Sequence, residues 1–220
     1  MSARAVIASG SGRYADPWHP FDETSAAIAG VLREVGFDAE VNADVDDALA
    51  SLDGADLLVV NAGDPWRGDD ETAAAPAASL AGLRSALDRG IGVLATHTAV
   101  ASLRDYPEWA AAVGAIWMPG LSYHPPRGDT AVRVEDAPEL GGLSGFDVDD
   151  ERYTRLQQIG DRRVVAWHAG DGSPEPAAWL REFGPSRVAV DVLGHDGRSY
   201  EAAGHRALVA ALARWAARAN

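Results

Sequence analysis

A short, continuous apolar run places the strongest constraint on the fold of this chain. It is Ile91-Gly-Val-Leu-Ala95, which follows Gly90 and ends at Thr96-His97. The run is too short for a helix and has no polar alternation, so it predicts a strand buried on both faces of a parallel sheet. Because open α/β sheets bind ligands at the carboxyl ends of their strands, we expect chemistry near Thr96 and His97.

The first half of the chain repeats this arrangement of a short apolar run followed by a segment with helical periodicity. The runs predict strands, and the segments that follow them predict helices. The predicted strands cover residues 5–8, 37–41 and 56–62, and the predicted helices cover 22–36, 45–52 and 77–89, with Asp22 as the first helix cap. The alternation predicts an α/β fold, a doubly wound and mostly parallel sheet with helices on both faces.

The second half has shorter and less regular elements. Segments 130–134, 163–167 and 187–193 predict strands, 107–114 and 200–219 predict helices, and 176–183 fits either. We find no internal repeat and no low-complexity tail. A length of 220 residues suits a single α/β domain over residues 1–220.

Charge and cysteine content exclude several classes of function. The chain has 19 Lys and Arg against 33 Asp and Glu, a net charge of -14 that repels phosphate backbones and anionic lipids. We therefore expect no nucleic-acid partner and no membrane partner, and we expect a cytoplasmic protein because no apolar run approaches a bilayer-spanning length. The absence of cysteine excludes disulfides, thiolate metal sites and cysteine nucleophiles.

Seven short motifs occur in an order and spacing that resemble those of one protein family. They are His19-Pro20, the strand end Gly92 to His97, Trp109 with Gly114, Ser122 to Pro126, Phe146 to Tyr153, Val192 to Asp196, and Trp215-Ala216. Together they resemble the ThuA-like (trehalose utilisation) proteins, a branch of the class I glutamine amidotransferase-like superfamily. The resemblance covers nearly the whole chain and implies a flavodoxin-like sheet.

The resemblance also separates this chain from the amidotransferases. Those enzymes carry a nucleophilic cysteine at the strand end where this chain has Ala95, Thr96 and His97. A thioester mechanism needs a thiolate, so glutaminase activity is excluded. The family likeness implies carbohydrate utilisation instead, with trehalose-like or keto-sugar intermediates as ligands.

Three histidines are the first candidates for catalysis or metal binding. His97, His124 and His195 each lie where a strand or apolar segment gives way to a loop, and imidazole transfers protons near neutral pH. His97 and His195 follow predicted parallel strands, so they can converge on one cleft. We expect His97 or His195 to act as general acid or base, assisted by Glu151, whose position in a family motif distinguishes it from a solvated charge run.

The substrate-binding residues are expected in the same cleft. The indole of Trp18, in the loop after the first strand, can stack on the apolar face of a pyranose. The family motifs add further candidates: His19, Thr96, His124, Tyr153 and Asp196. The expected partner is a small-molecule carbohydrate, and a homo-oligomer is compatible with the fold.

A metal site is the sharper alternative to acid–base catalysis. His97, His124 and His195 with a carboxylate would make a nitrogen and oxygen site suited to zinc or another divalent ion. No His-x-His or His-x-x-x-His pair occurs, so such a site must be assembled from distant segments. No other cofactor is expected. A competing hypothesis is a non-catalytic carbohydrate-binding or regulatory protein on the same fold.

Overall fold

The computed structural model describes residues 2–67 and 74–219 and shows an α/β fold built on a large mixed sheet. The strands are β1 Arg4–Ser9, β2 Asp38–Asn42, β3 Leu57–Asn61, β4 Gly92–Thr96, β5 Ala115–Ile116, β6 Gly128–Val134, β7 Phe146–Asp150, β8 Gln157–Gln158, β9 Arg163–Ala169, β10 Pro174–Phe183 and β11 Ser186–Asp191. The α-helices are α1 Phe21–Glu34, α2 Val45–Ala50, α3 Ala77–Arg89, α4 Trp109–Val113 and α5 Ala203–Ala217.

The main sheet has nine strands in the order β2-β1-β3-β4-β11-β10-β9-β6-β7. The first five are mutually parallel, and the central position of β4 between β3 and β11 agrees with the prediction. The other four strands pair antiparallel, so the mostly parallel sheet expected from the sequence is correct only for one half. The short turns that join β9 to β10 and β10 to β11 cannot carry a parallel crossover, and they make residues 174–183 a strand.

Helices cover both faces of the sheet, as predicted. One core lies between the sheet and helices α2, α3 and α4 and includes Val6 and Ala8 of β1. The other lies between the sheet and helices α1 and α5 and includes Ala5 and Ile7 of the same strand. Successive side chains of a strand point to opposite faces, so uniformly apolar strands serve two cores at once.

Two helix boundaries differ from the prediction. Helix α1 begins at Phe21 rather than after an Asp22 cap, because the Pro20 carbonyl accepts the Thr24 amide and Asp22 falls in the first turn. The predicted closing helix is interrupted at Ala202, which separates a 3-10 turn from α5. Helix α5 has 15 residues, and no helix among the described residues is long and apolar enough to cross a bilayer.

Two helix-interior glycines provide a matched test of the packing. A Cβ on Gly82 of α3 would lie 2.2 Å from the Leu49 carbonyl oxygen of α2, whereas a Cβ on Gly30 of α1 would meet nothing within 4 Å. We expect Gly82→Ala to lower the free energy of unfolding by about 1–3 kcal/mol through overpacking. Gly30→Ala should raise it by about 0.5–1 kcal/mol, because alanine has the better helix propensity. Urea unfolding of both variants measures this, and equal effects would contradict the close approach of α2 and α3.

Candidate functional site

The candidate site begins at the end of β4, where the chain turns sharply. His97 follows Thr96 directly, opens a 3-10 turn, and has a φ of 47°, in the left-handed region that non-glycine residues seldom adopt. Such backbone conformations cost free energy and cluster at functional sites. The His97 side chain is almost completely buried, so the strained turn presents its imidazole to the interior of a site.

Four side chains converge around this imidazole: His19, His97, Glu151 and His195, each offering a ligand atom within 4.8 Å of the others. They come from the loop after β1 and from the ends of β4, β7 and β11. The Nε2 atoms of His19 and His97 are 3.2 Å apart. Glu151 Oε2 lies 3.5 Å from His97 Nε2 and 3.4 Å from His195 Nδ1. We call these four residues the His/Glu cluster.

Hydrogen bonds on the outer side of the cluster fix two of its imidazoles. His19 Nδ1 lies 2.7 and 2.8 Å from the two Asp16 carboxylate oxygens, and His97 Nδ1 lies 2.8 Å from the Val192 carbonyl oxygen. These partners only accept, so each Nδ1 carries a hydrogen, and the neutral rings direct Nε2 lone pairs at each other. That arrangement is stable only with a proton or a cation between the two atoms, and it is the outer-sphere pattern of metal-binding histidines.

Local electrostatics indicate where that proton lies. Burial lowers the pKa of His19, and the adjacent His97 and His195 lower it further. Burial also opposes the charge of His97, but the carboxylates of Glu151 and Asp150 outweigh it and raise the His97 pKa. Burial likewise opposes the charge of Glu151, but the imidazoles of His195 and His97 hold its pKa well below the usual range. These directions favour an ionised Glu151 and place the proton of the metal-free cluster on His97 rather than on His19.

The donor set fits a divalent cation. Glu151 Oε2 and His195 Nδ1 are both buried and have no hydrogen-bond partner among the described residues. Buried polar atoms without partners are costly, and a cation within reach of both would satisfy them. Three imidazole nitrogens and one carboxylate oxygen suit zinc or a similar transition ion.

The His/Glu cluster differs in one member from the histidines that the sequence suggested as metal ligands. His124 does not belong to it, and His19, expected only to bind substrate, takes a place in it. The His124 side chain is half-exposed at the rim, with Nδ1 3.4 Å from Glu151 Oε1. Tyr153 is buried, and its hydroxyl oxygen lies 3.0 Å from His97 Nε2. Burial raises the pKa of Tyr153 well above its ordinary value, so the phenol keeps its proton.

The remaining predicted substrate contacts have different surroundings. Thr96 is buried, and its hydroxyl donates to the Val60 carbonyl oxygen and so links β4 to β3. Asp196 forms ion pairs with Arg127 at 2.5 Å and Arg198 at 2.7 Å. Trp18 is 61% exposed and lines a cavity of about 370 Å³ with His19, His124, Glu151 and His195. This cavity opens onto the His/Glu cluster.

Two aspartates that support the cluster were missed on sequence. Asp16 orients His19, and the Asp-x-x-His spacing in a loop after a strand was an available signal. Asp150 is fully buried and accepts hydrogen bonds from the backbone amides of Glu151, Gly194 and His195. It stands in a charged run, and no local signal distinguishes it from a solvated residue.

Comparisons with known proteins agree with this architecture. The family model ThuA, described as trehalose utilisation, matches residues 5–216. A ThuA-like protein from Parabacteroides merdae superposes with a TM-score of 0.81 at 18% identity, covering 99% of this chain and 90% of that one. A second ThuA-like protein, from Bacteroides uniformis, gives a TM-score of 0.72 at 14% identity, covering 97% and 91% of the two chains.

A larger enzyme contains a similar fold. The β-galactosidase from Rahnella sp. R3 gives a TM-score of 0.65 at 17% identity, covering 98% of this chain but only 31% of the enzyme. No curated protein matches this chain significantly in sequence. At such low identities the structural likenesses show the fold alone, but the family model spans almost the entire sequence. The chain therefore belongs to the ThuA family, the trehalose utilisation family.

Proposed function

We propose that this protein is a metal-dependent, sugar-active enzyme whose divalent ion is held by the His/Glu cluster. The observation that carries the proposal is the 3.2 Å separation of the Nε2 atoms of His19 and His97. The Nδ1 atoms of the two rings both donate hydrogen bonds to other groups, so only the Nε2 atoms are left to bind a cation. A cation bound by these nitrogens would take the place of the proton that the metal-free cluster holds on His97. It also supplies partners for Glu151 and His195.

The cluster and the residues beside it would have different chemical roles. A divalent ion bound there would supply Lewis-acid polarisation of a sugar carbonyl or hydroxyl oxygen. Tyr153 keeps its proton and can donate a hydrogen bond toward the site. His124 contacts both the Glu151 carboxylate and solvent, which suits it to exchange protons during turnover.

A carbohydrate is the substrate class that the cavity suits best. The ThuA family is described as trehalose utilisation, and the cavity over the cluster combines imidazoles, a carboxylate and the exposed indole of Trp18. Sugars present hydroxyls and an apolar ring face, which such a lining can bind together. The five parallel strands follow the flavodoxin-like order, which supports a doubly wound, amidotransferase-like ancestry with the site at the carboxyl edge.

Metal analysis of purified variants tests the proposal. Protein purified without chelator, or after incubation with zinc and removal of excess ion, should contain near-stoichiometric metal by mass spectrometry. His19→Ala and His97→Ala should lose most of it, because each removes one nitrogen ligand. His124→Ala is the matched control and should keep its metal, since His124 lies at the rim. Absence of metal from the folded wild-type protein after zinc incubation would overturn the metal-dependent function.

The second candidate is metal-free acid–base catalysis on the same sugar class. The specific observation behind it is the Asp16–His19–His97 series, in which a carboxylate orients one imidazole toward another. This series could transfer a proton to and from a bound hydroxyl. Turnover that survives exhaustive chelation but not His19→Ala would favour this candidate.

A further inference from the structure

A cavity lined by arginines lies at the edge of the sheet opposite the His/Glu cluster. Its volume is about 570 Å³, and it includes Arg163 at the start of β9 and Arg187 at the start of β11. Both strands pair antiparallel with β10, so their amino ends lie at the same edge. His195 follows the other end of β11, a strand of six residues that spans about 20 Å. We call this cavity the arginine pocket, after the four arginines that line it: Arg162, Arg163, Arg181 and Arg187.

The positive charges of the arginine pocket are only partly balanced. Among the described residues that line it, one ion pair forms, between Arg163 and Glu139 at 2.5 Å. Two more carboxylates line the pocket, but Asp161 and Glu182 are exposed residues, so water and salt screen their charges. The other three arginines are partly buried and form no ion pair within the described part of the chain. The interior of the pocket therefore carries an excess of positive charge.

Arg162 has the least compensated guanidinium of the pocket. Its Nε and Nη1 atoms are buried and have no hydrogen-bond partner among the described residues, and the same holds for Nε of Arg181. The Arg162 guanidinium lies over the Trp179 ring, 4.4 Å from its centre, which holds the group in place. Burial lowers the pKa of Arg162, and the Arg181 charge adds to this effect while the Glu175 charge opposes it. An anion in the pocket would stabilise these two neighbouring cations.

The charge and size of the pocket favour a phosphate ester as that anion. A guanidinium can donate two parallel hydrogen bonds to a phosphate or a carboxylate. A phosphate monoester, with a charge of about -2, balances several unpaired guanidiniums better than a singly charged carboxylate does. The volume of about 570 Å³ leaves room for an organic group beside the phosphate, and Leu180 and Trp215 supply apolar surface for it. The Arg187 guanidinium lies over the same Trp215 ring, 5.3 Å from its centre.

We infer that the arginine pocket binds the phosphate group of a small phosphorylated molecule, at a site separate from the His/Glu cluster. The two sites share no residue and lie at opposite edges of the sheet, so this site does not depend on the function proposed for the cluster. The chain has a net charge of -14 and gives anions little non-specific attraction. Binding of a phosphate ester should therefore depend on the arginines of this pocket.

Equilibrium binding to the intact protein as purified tests this site. Phenyl phosphate, inorganic phosphate and benzoate are titrated by calorimetry, at fixed ionic strength, against the wild type, Arg162→Gln and Arg133→Gln. Phenyl phosphate should bind the wild type at least about tenfold more tightly than the other two anions, and Arg162→Gln should weaken it at least about tenfold. Arg133 is the matched control, because it also lies over an indole, that of Trp167, but pairs with Glu135 and does not line the pocket. Its variant should stay within about twofold of the wild type.

Two further measurements locate the bound phosphate and check the fold. His19→Ala should bind phenyl phosphate as the wild type does, and a loss of affinity there would place the anion on the His/Glu cluster and overturn the site. Phenyl phosphate should raise the urea midpoint of the wild type but not that of Arg162→Gln. Without ligand, Arg162→Gln should unfold at the same urea concentration as the wild type or a higher one, because it removes a partly buried charge that has no counter-ion. Equal affinities for the three anions, or no binding to the wild type, would overturn the phosphate-ester site.

Discussion

Replacing Asp150 with Asn should lower the free energy of unfolding by about 3 kcal/mol and weaken metal binding by about 10- to 100-fold. The buried carboxylate accepts the amides of Glu151 at 2.8 Å, Gly194 at 2.7 Å and His195 at 3.2 Å. Asn has the same shape but only one acceptor oxygen, so its NH2 group would face a donor. Two of these amides belong to Glu151 and His195, which are members of the cluster. Weakening their hydrogen bonds to residue 150 should therefore disturb the positions of both residues directly.

Urea unfolding and zinc competition against a chromophoric chelator measure the two effects of Asp150→Asn. Asp149→Asn is the control, since Asp149 is the adjacent residue and pairs with Arg127 at the surface. A surface ion pair contributes less than about 1 kcal/mol, so this variant should keep its metal affinity and nearly all its stability. Similar behaviour of the two variants would show that the three amide bonds do not position the cluster.

His205→Gln should cost about 3–5 kcal/mol of unfolding free energy near pH 6. His205 Nε2 lies 2.8 Å from Asp191 Oδ2, and its Nδ1 lies 2.8 Å from the Ser199 carbonyl oxygen, with both the imidazole and the carboxylate buried. Because both ring nitrogens of His205 face an oxygen acceptor, both must carry a hydrogen, and the ring is therefore an imidazolium. Gln carries no charge, so the variant leaves the buried Asp191 carboxylate without a counter-ion.

The cost of His205→Gln should diminish as the pH rises. Burial opposes the charge of His205, but the Asp191 charge and hydrogen bond outweigh it and raise the His205 pKa. A raised folded pKa gives stability that is complete below the unfolded value of about 6.5 and is lost as pH rises through the folded value. The wild type should therefore lose stability relative to the variant as the pH rises above about 6.5.

Urea unfolding of metal-free protein in a series of buffers from about pH 6 upward checks this pH dependence. Arg206→Gln is the neighbouring control, because Arg206 pairs with Glu34 at the surface and should contribute less than about 1 kcal/mol. A difference between wild type and His205→Gln that stays constant over this range would mean that the buried imidazole is neutral.

Four of the five parallel strands, β1, β3, β4 and β11, could be predicted from the sequence because they are almost entirely buried. Strands buried on both faces are mainly apolar, and the run at 92–96 and the strands beside it have that signature. Strand β7, Phe-Asp-Val-Asp-Asp, looks like a charged surface run instead. Its buried Asp150 is stabilised by amides 44 and 45 residues away, which no local pattern records.

The part of the His/Glu cluster that topology alone brings together was predictable from the sequence. His97 and His195 both follow parallel strands, so their convergence follows from the sheet. Whether His19 or His124 joins the cluster depends on the paths of two loops. Loop sequences have no periodicity from which those paths could be predicted. Asp16 directs His19 inward, whereas His124 hydrogen-bonds its neighbour Pro125 and stays at the rim.

The dispersed origin of the cluster has a kinetic consequence. His19 and His97 are 78 residues apart, and His195 joins them only after β11 has inserted beside β4. Contacts between residues so far apart in the sequence form late in folding. Closing the large loops between them costs chain entropy before the contacts can stabilise the structure. We therefore expect an ion bound in this cluster to act after the rate-limiting step of folding. It would slow unfolding and lengthen the lifetime of the native state while leaving the folding rate nearly unchanged.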